Sequence, residues 1–197
     1  MMIRIGIVGD IGSGKSYVAK LFGFPIFNAD YEVSKIYNKS RKSFRKLKKI
    51  FPNHIFSFPI ERKELSRALM ENKNNVKKIN KIIHPEVRLR MKKFLKKNKN
   101  KKAVVLDIPL LLEGKINRKK DVLLFVEAKK KDIIKRLKKR NNFNPLVFKK
   151  LKKLQLPLET KKRKSNFILK NNFLTLSVKK NVKILKNKIL KNERNSP

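Results

Sequence analysis

The segment GDIGSGKS, residues 9–16, is the part of the chain whose residue types and spacing most directly indicate chemistry. It fits the pattern G-x-x-x-x-G-K-[ST], and it follows an apolar run and precedes a helical pattern. Glycines allow the backbone N–H groups of such a loop to point at phosphate oxygens, and the lysine reaches the β- and γ-phosphates. The segment predicts a phosphate-binding loop for ATP, with Ser16 as a hydroxyl ligand for Mg²⁺. We expect ATP to contact Asp10, Ile11, Gly12, Ser13, Gly14, Lys15, Ser16 and Tyr17.

A chance match is a poor explanation of this segment. The chain of 197 residues has 6 glycines, and Gly9, Gly12 and Gly14 all fall inside these eight positions. A phosphate-binding loop identifies a nucleotide rather than a reaction. At this chain length, we expect a small-molecule kinase, which also needs a carboxylate near the phosphate that is transferred.

Asp30 is the candidate for that carboxylate. It closes the triplet Asn28-Ala29-Asp30, directly after a predicted short strand at residues 25–27. The carboxyl end of this strand would lie at the same edge of the sheet as the phosphate-binding loop. Taken alone, Asp30 is better explained as the cap of the helix that follows it than as a catalytic carboxylate.

Four segments in this order resemble the dephospho-CoA kinase family over residues 3–172. The first is the phosphate-binding loop followed by Asp30. Residues 83–87, IHPEV, resemble the H-P-x-[IV] element of the family, and residues 107–113, DIPLLLE, resemble its D-x-P-L-L-x-E segment. Gln155, Lys161 and the run SNFILKN at residues 165–171 resemble the Q…K…A-D-x-V-I-x-N ending.

The resemblance implies a reaction and assigns residues to it. ATP would phosphorylate the 3′-hydroxyl of dephospho-CoA to give CoA and ADP, with Asp30, Lys15 and Arg140 as the catalytic residues. Asp30, His84 and Asp107 would contact the substrate, although Asp107 is also placed for the metal or as a cap of the turn at Pro109. Arg140 would begin a lid over ATP, at about residues 140–160, that excludes water on closing.

Three positions depart from the family pattern. Asn28 stands where the family has an aspartate, Leu151 where its lid usually carries an arginine, and Asn166 where it has another aspartate. Each change removes a charged group. Lys150, Lys152 and Lys153 surround Leu151, but a lysine lacks the two-pronged hydrogen bonding of an arginine.

The order of predicted elements places these motifs in one α/β domain over residues 1–197. Predicted strands at residues 3–8, 25–27, 103–108, 121–126 and 167–169 alternate with helices, which indicates a mostly parallel sheet flanked by helices. The expected fold is that of a P-loop kinase. A helical stretch at about residues 31–98 interrupts the alternation, and we interpret it as an inserted subdomain that binds the CoA substrate.

Composition limits the remaining function classes. The net charge is +41, which either reflects a polyanionic partner or a compositional drift toward lysine and asparagine. There is no cysteine and no apolar run long enough to cross a membrane, and the N-terminus enters a strand pattern at once. We therefore expect a cytoplasmic protein without a membrane partner. We also expect a monomer, an expectation that these features do not bear on. Two alternatives stay open: another small-molecule kinase, such as a nucleoside monophosphate kinase, and a nucleic-acid-binding P-loop ATPase. Non-specific nucleic-acid binding is compatible with a dephospho-CoA kinase and with another small-molecule kinase.

Overall fold

The computed structural model describes residues 2–72, 74–139 and 143–192 of the chain. The chain divides into two compact units, one made of the residues up to Asn28 and from Asn98 onward, the other of Ala29–Lys97. The elements in chain order are β1 (Ile3–Gly9), α1 (Lys15–Leu21), β2 (Ile26–Asn28), α2 (Ala29–Lys39), α3 (Arg41–Ile50), α4 (Arg62–Glu71), α5 (Asn75–Lys97), β3 (Ala103–Asp107), β4 (Val122–Glu127), α6 (Lys130–Lys138), α7 (Pro145–Lys153), α8 (Leu158–Arg163), β5 (Phe167–Lys170) and α9 (Thr175–Asn192).

The first unit is built on a parallel sheet. In the described part of the chain the sheet has five strands in the order β2-β3-β1-β4-β5, and every neighbouring pair is parallel. This confirms the predicted sheet and all of its predicted strands, with ends that differ by at most one residue. Because parallel strands end at one edge of a sheet, Asn28 is paired with Asp107, and Gly9 is paired with Val126, at the same edge.

The central strand explains why the sheet forms where it does. Every residue of β1 is buried, including Ile5 and Ile7, which are fully inaccessible to solvent. A strand covered on both faces by helices reads as a continuous apolar run rather than as an alternating one. The buried cluster that contains Ile5 and Ile7 also includes Val18, Phe22 and, on α9, Val178. This packing holds the loop that follows β1 on a rigid support.

The second unit contains α2 to α5, and two of its helix ends differ from the sequence-based expectation. The basic helical pattern at residues 31–50 is two helices, because the Ser40 hydroxyl accepts a hydrogen bond from the Ser43 N–H and starts α3 anew. Pro85 was expected to open a helix, but it lies inside α5. Ile79 and Ile83 before Pro85 are buried in the core of this unit, so packing outweighs the one hydrogen bond that proline removes.

Two differences lie in the predicted lid region. The helix expected from residue 148 begins at Pro145, since the fixed backbone angle of proline suits the first position of a helix. Pro157 was expected to end the helical region, yet it precedes the short helix α8. The described residues contain no helix long and apolar enough to cross a membrane.

Candidate active site

The loop between β1 and α1 has the backbone conformation that its glycines make accessible. Gly12 and Gly14 have φ angles of 83° and 91°, which side chains other than glycine rarely adopt. Gly9 has φ 146°, and a Cβ atom there would lie 2.6 Å from the carbonyl oxygen of Val126. A Cβ at Gly14 would clash with the side-chain amide of Asn171. The three glycines are thus required by the path of the loop.

Lys15 begins α1 and folds back over the loop. Its Nζ donates hydrogen bonds to the carbonyl oxygens of Asp10 at 2.7 Å and of Gly9 at 3.3 Å. Burial, followed by the positive charge of Lys161, lowers the pKa of Lys15 from 10.5 to about 8, although Asp107, Asp10 and Glu113 act in the opposite direction. The loop therefore holds a cation whose charge is incompletely compensated by the protein.

The other residues of the predicted ATP site surround this ammonium group or continue into α1. The Oδ1 of Asp10 accepts the Ile11 N–H at 2.8 Å, and the Ser13 N–H bonds to the Asp10 carbonyl oxygen. The Ser13 hydroxyl is buried, and among the described residues it has no hydrogen-bond partner. Ser16 and Tyr17 are exposed in the first turn of α1. A buried hydroxyl of this kind can form a hydrogen bond with a polar ligand that enters the loop.

Asp107 lies at the end of β3, on the edge of the sheet that carries the loop. The carboxylate is buried, and its Oδ2 accepts a hydrogen bond of 2.6 Å from the side-chain amide of Asn28. An aspartate at position 28 would bring a second negative charge to Asp107, whereas the asparagine donates a hydrogen bond to it. The structure thus gives a physical reason for the departure at residue 28.

Asn171 and its neighbours support the loop from β5. The Asn171 Nδ2 donates to the Ser13 carbonyl oxygen at 2.8 Å, and its Oδ1 accepts the Phe173 N–H at 2.9 Å. The Arg136 guanidinium carbon lies 4.5 Å from the centre of the Phe173 ring. Asn171 could be found from the motif that it closes, but nothing in the sequence marked Phe173. The departure at Asn166 is tolerated because its Oδ1 accepts the Leu123 N–H at 2.8 Å, as an aspartate would.

Two ion pairs join the predicted lid region to the loop and to the end of the D-x-P-L-L-x-E segment. Lys152 on α7 lies 3.3 Å from the Oδ2 of Asp10. Lys161 on α8 lies 2.7 Å from Glu113, whose Oε1 also accepts the Leu156 N–H. Glu113, the last residue of that segment, is thus an ion-pair partner.

The remaining predicted residues lie on other elements of the chain. Asp30 is exposed in the first turn of α2, and His84 is exposed on α5, so both belong to the second unit. Partial burial, followed by the charge of Arg88, lowers the pKa of His84. Arg140 lies outside the described residues. Within the described ranges, no three His, Cys, Asp or Glu side chains cluster as a metal site would require.

The chain is similar to known proteins in sequence and in structure. The family model described as Dephospho-CoA kinase matches residues 3–176. A dephospho-CoA kinase from Bacillus thuringiensis subsp. konkukian is 31% identical over 186 residues, covering 91% of this chain and 93% of the relative. The crystal structure of TT1252 from Thermus thermophilus superposes with a TM-score of 0.78 at 27% identity, covering 96% of this chain and 97% of that one. The dephospho-CoA kinase from Campylobacter jejuni, at 23% identity, shares the fold with a TM-score of 0.67 over 94% of this chain and 96% of its own. These matches confirm the P-loop kinase fold and the resemblance found in the sequence.

Proposed function

The chain belongs to the dephospho-CoA kinase family, and we propose that it transfers the γ-phosphate of ATP to the 3′-hydroxyl of dephospho-CoA through the residues assigned from its sequence. The products are CoA and ADP. The observation that supports the proposal most is the glycine loop, in which the Lys15 ammonium group donates hydrogen bonds to the carbonyl oxygens of Gly9 and Asp10. The family match accounts for the acceptor, and it favours neither a nucleoside monophosphate kinase nor a nucleic-acid-dependent ATPase.

Lys15 holds the phosphates of ATP in this proposal. Phosphate oxygens are better partners for its ammonium group than the neutral carbonyls of Gly9 and Asp10, because they add the attraction between opposite charges to the hydrogen bond. The N-terminus of α1 adds partial positive charge at the same place. The Ser13 hydroxyl has no hydrogen-bond partner among the described residues, so it is a further donor inside the loop. These groups bind and orient the phosphates for an in-line transfer.

The oxygen donors near the loop suit Mg²⁺. A kinase site usually holds this ion through one or two protein oxygens and the phosphates of the substrate, rather than through a cage of side chains. Ser16 offers an exposed hydroxyl, Asp107 offers a carboxylate at the adjacent strand end, and the described residues include no larger acidic cluster. Bound Mg²⁺ would neutralise negative charge on the β- and γ-phosphates. We assign Ser16 as its protein ligand, with Asp107 serving either the ion or the substrate.

Asp30 is the proposed general base. Its carboxylate would orient the 3′-hydroxyl of dephospho-CoA and accept the proton of that hydroxyl as phosphoryl transfer proceeds. An exposed carboxylate in the first turn of α2 can meet a substrate that arrives from solvent. We propose that the second unit, Ala29–Lys97, binds the CoA moiety, with His84 as a further contact. Arg140 stays a predicted catalytic residue of the lid.

The proposal is tested with purified protein, radiolabelled ATP and three acceptors: dephospho-CoA, adenosine and AMP. We expect label in CoA, no transfer to adenosine or AMP, and loss of transfer when EDTA removes Mg²⁺. Failure to label CoA, by protein that binds ATP, would refute the proposal. Label in AMP alone would establish the nucleoside monophosphate kinase, and ATP hydrolysis that rises with added RNA would establish the nucleic-acid-dependent ATPase.

A monomeric state, a cytoplasmic location and the non-specific character of any nucleic-acid binding stay predictions from the sequence. Light scattering during size-exclusion chromatography tests the first of them. Filter binding to RNA over a series of salt concentrations tests the last, because non-specific binding to phosphates weakens steeply with salt.

A further inference from the structure

The carboxylate of Glu113 holds the connection between α7 and α8. Its Oε1 accepts two hydrogen bonds, one of 3.0 Å from the Leu156 backbone N–H and one of 2.7 Å from the Lys161 ammonium. The Lys161 side chain is 2% exposed and that of Glu113 is 11% exposed. One oxygen atom therefore fixes both the residue that leaves α7 and a residue on α8.

This ion pair has the character of a positioning device rather than of a stabilising one. Burial acts to raise the pKa of Glu113, but the hydrogen bonds from Lys161 and from backbone N–H groups outweigh burial and keep the pKa below its usual value. The Glu113 carboxylate beside the Lys161 ammonium is thus charged. Removing two charges from water costs about as much as their attraction returns, so a buried ion pair adds little net stability. It does impose a defined geometry on whatever it joins.

The segment that the pair fixes carries a cation to the phosphate-binding loop. Lys152, in the last turn of α7, lies four residues before Leu156 in the chain, and its Nζ is 3.3 Å from the Oδ2 of Asp10. The same ammonium group lies 5.7 Å from the centre of the Phe148 ring. Leu151, at the position of the lid arginine in the family pattern, is apolar and 46% exposed. Lys152 is therefore the described side chain of α7 that is bonded to the loop.

We propose that Glu113 and Lys161 are positioning residues that hold the end of α7 so that Lys152 is presented to the phosphates of ATP. The inference rests on the proposed role of the loop as the ATP site. Asp10 retains Lys152 in the absence of nucleotide. The phosphates carry more negative charge than one carboxylate, so Lys152 turns to them when ATP enters. Lys152, the residue after Leu151, thereby supplies the positive charge that the lid arginine of the family pattern would provide at position 151.

The experiment is a double-mutant cycle on ATP affinity, measured by calorimetry without dephospho-CoA. The variants are Glu113→Gln, Lys152→Met and the double substitution. Glutamine keeps the volume of Glu113 and an oxygen for the Leu156 N–H, but it loses the charge that holds Lys161. We expect each single change to weaken ATP binding about tenfold, as for a charge-assisted hydrogen bond. The double variant should be little weaker than either single one, because both changes remove the same contact.

Glu127→Gln is the matched control. Glu127 pairs with Lys162, the neighbour of Lys161 on α8, at 2.8 Å, and both side chains are about one third exposed. This change should leave ATP affinity intact, and its effect should add to that of Lys152→Met. Lys161→Met should reproduce Glu113→Gln, which keeps the test available if one of the two variants folds poorly.

Two results would overturn the inference: additive effects of Glu113→Gln and Lys152→Met, or unchanged ATP affinity in Lys152→Met. A general loss of structure would lower the melting temperature and weaken ATP binding in Glu113→Gln without this coupling to Lys152. Failure of the proposed function looks different, since wild-type protein would then bind ATP and transfer no phosphate to dephospho-CoA.

Discussion

The ionisation of Lys15 leads to a quantitative prediction about ATP binding. Burial first, and then the charge of Lys161, place its pKa at about 8 in the free protein. At that pKa, about half of the Lys15 side chains are neutral at pH 8 and about nine in ten at pH 9. Phosphate groups favour the charged form. ATP binding above pH 8 should therefore take up a proton, and affinity should fall about tenfold for each pH unit up to the pKa of the complex.

Calorimetry tests this prediction between pH 7 and pH 9.5, in EDTA and in two buffers of different ionisation enthalpy. The terminal phosphate of ATP does not titrate above pH 8, because the second pKa of a phosphate monoester is about 6. Lys15→Arg is the control, since arginine stays charged over this range and should give a flat profile. An equally flat profile for wild-type protein, with no proton uptake, would refute the assignment of a depressed pKa to Lys15.

The same depressed pKa affects stability. The unfolded chain holds a proton on Lys15 up to about pH 10.5, whereas the folded protein loses it from about pH 8. Between these values the unfolded state binds more protons, so the contribution of Lys15 to the free energy of unfolding rises with pH. Below pH 8 both states are protonated and this contribution is constant.

Three further substitutions have defined expected outcomes. Gly14→Ala should weaken ATP binding at least tenfold, measured by calorimetry, because φ is 91° and the new Cβ displaces Asn171; wild-type affinity would argue against the loop geometry. Arg4→Met should lower the free energy of unfolding by about 3–5 kcal/mol in urea titrations, because it leaves Asp121, whose side chain is 2% exposed, buried without its cation. Phe22→Ala should cost about 3–5 kcal/mol in the same titration, since Phe22 is fully buried in the core; a loss under 1 kcal/mol would contradict the packing described.

The elements that depend on local pattern were predictable from the sequence. Buried parallel strands appear as short apolar runs, and all five described strands were found in this way. The errors lie where tertiary packing or a single side chain decides the outcome. Pro85 lies inside α5, where Ile79 and Ile83 before it are buried and Val87 after it is partly buried. The division at Ser40 depends on one capping hydroxyl. Neither tertiary packing around a proline nor a single capping hydroxyl produces a periodic pattern in the sequence.

The site was predictable to the extent that its residues are close in the sequence. The loop from Gly9 to Ser16 is a local motif, and its backbone conformation follows from its glycines. The contacts of Asp107 with Asn28 and of Lys152 with Asp10 join residues 79 and 142 positions apart. Pairing over such separations depends on the order of strands and the path of the lid region, which one sequence does not encode in any short pattern.

The proposed function depends most on Asp30 acting as the base for phosphoryl transfer to dephospho-CoA. The most direct test compares CoA formation by wild-type protein and by Asp30→Asn under saturating ATP, with ATP affinity measured on both. We predict for Asp30→Asn a kcat about 100-fold or more below that of the wild type and an unchanged dissociation constant for ATP. CoA formation by Asp30→Asn at the wild-type rate would contradict it.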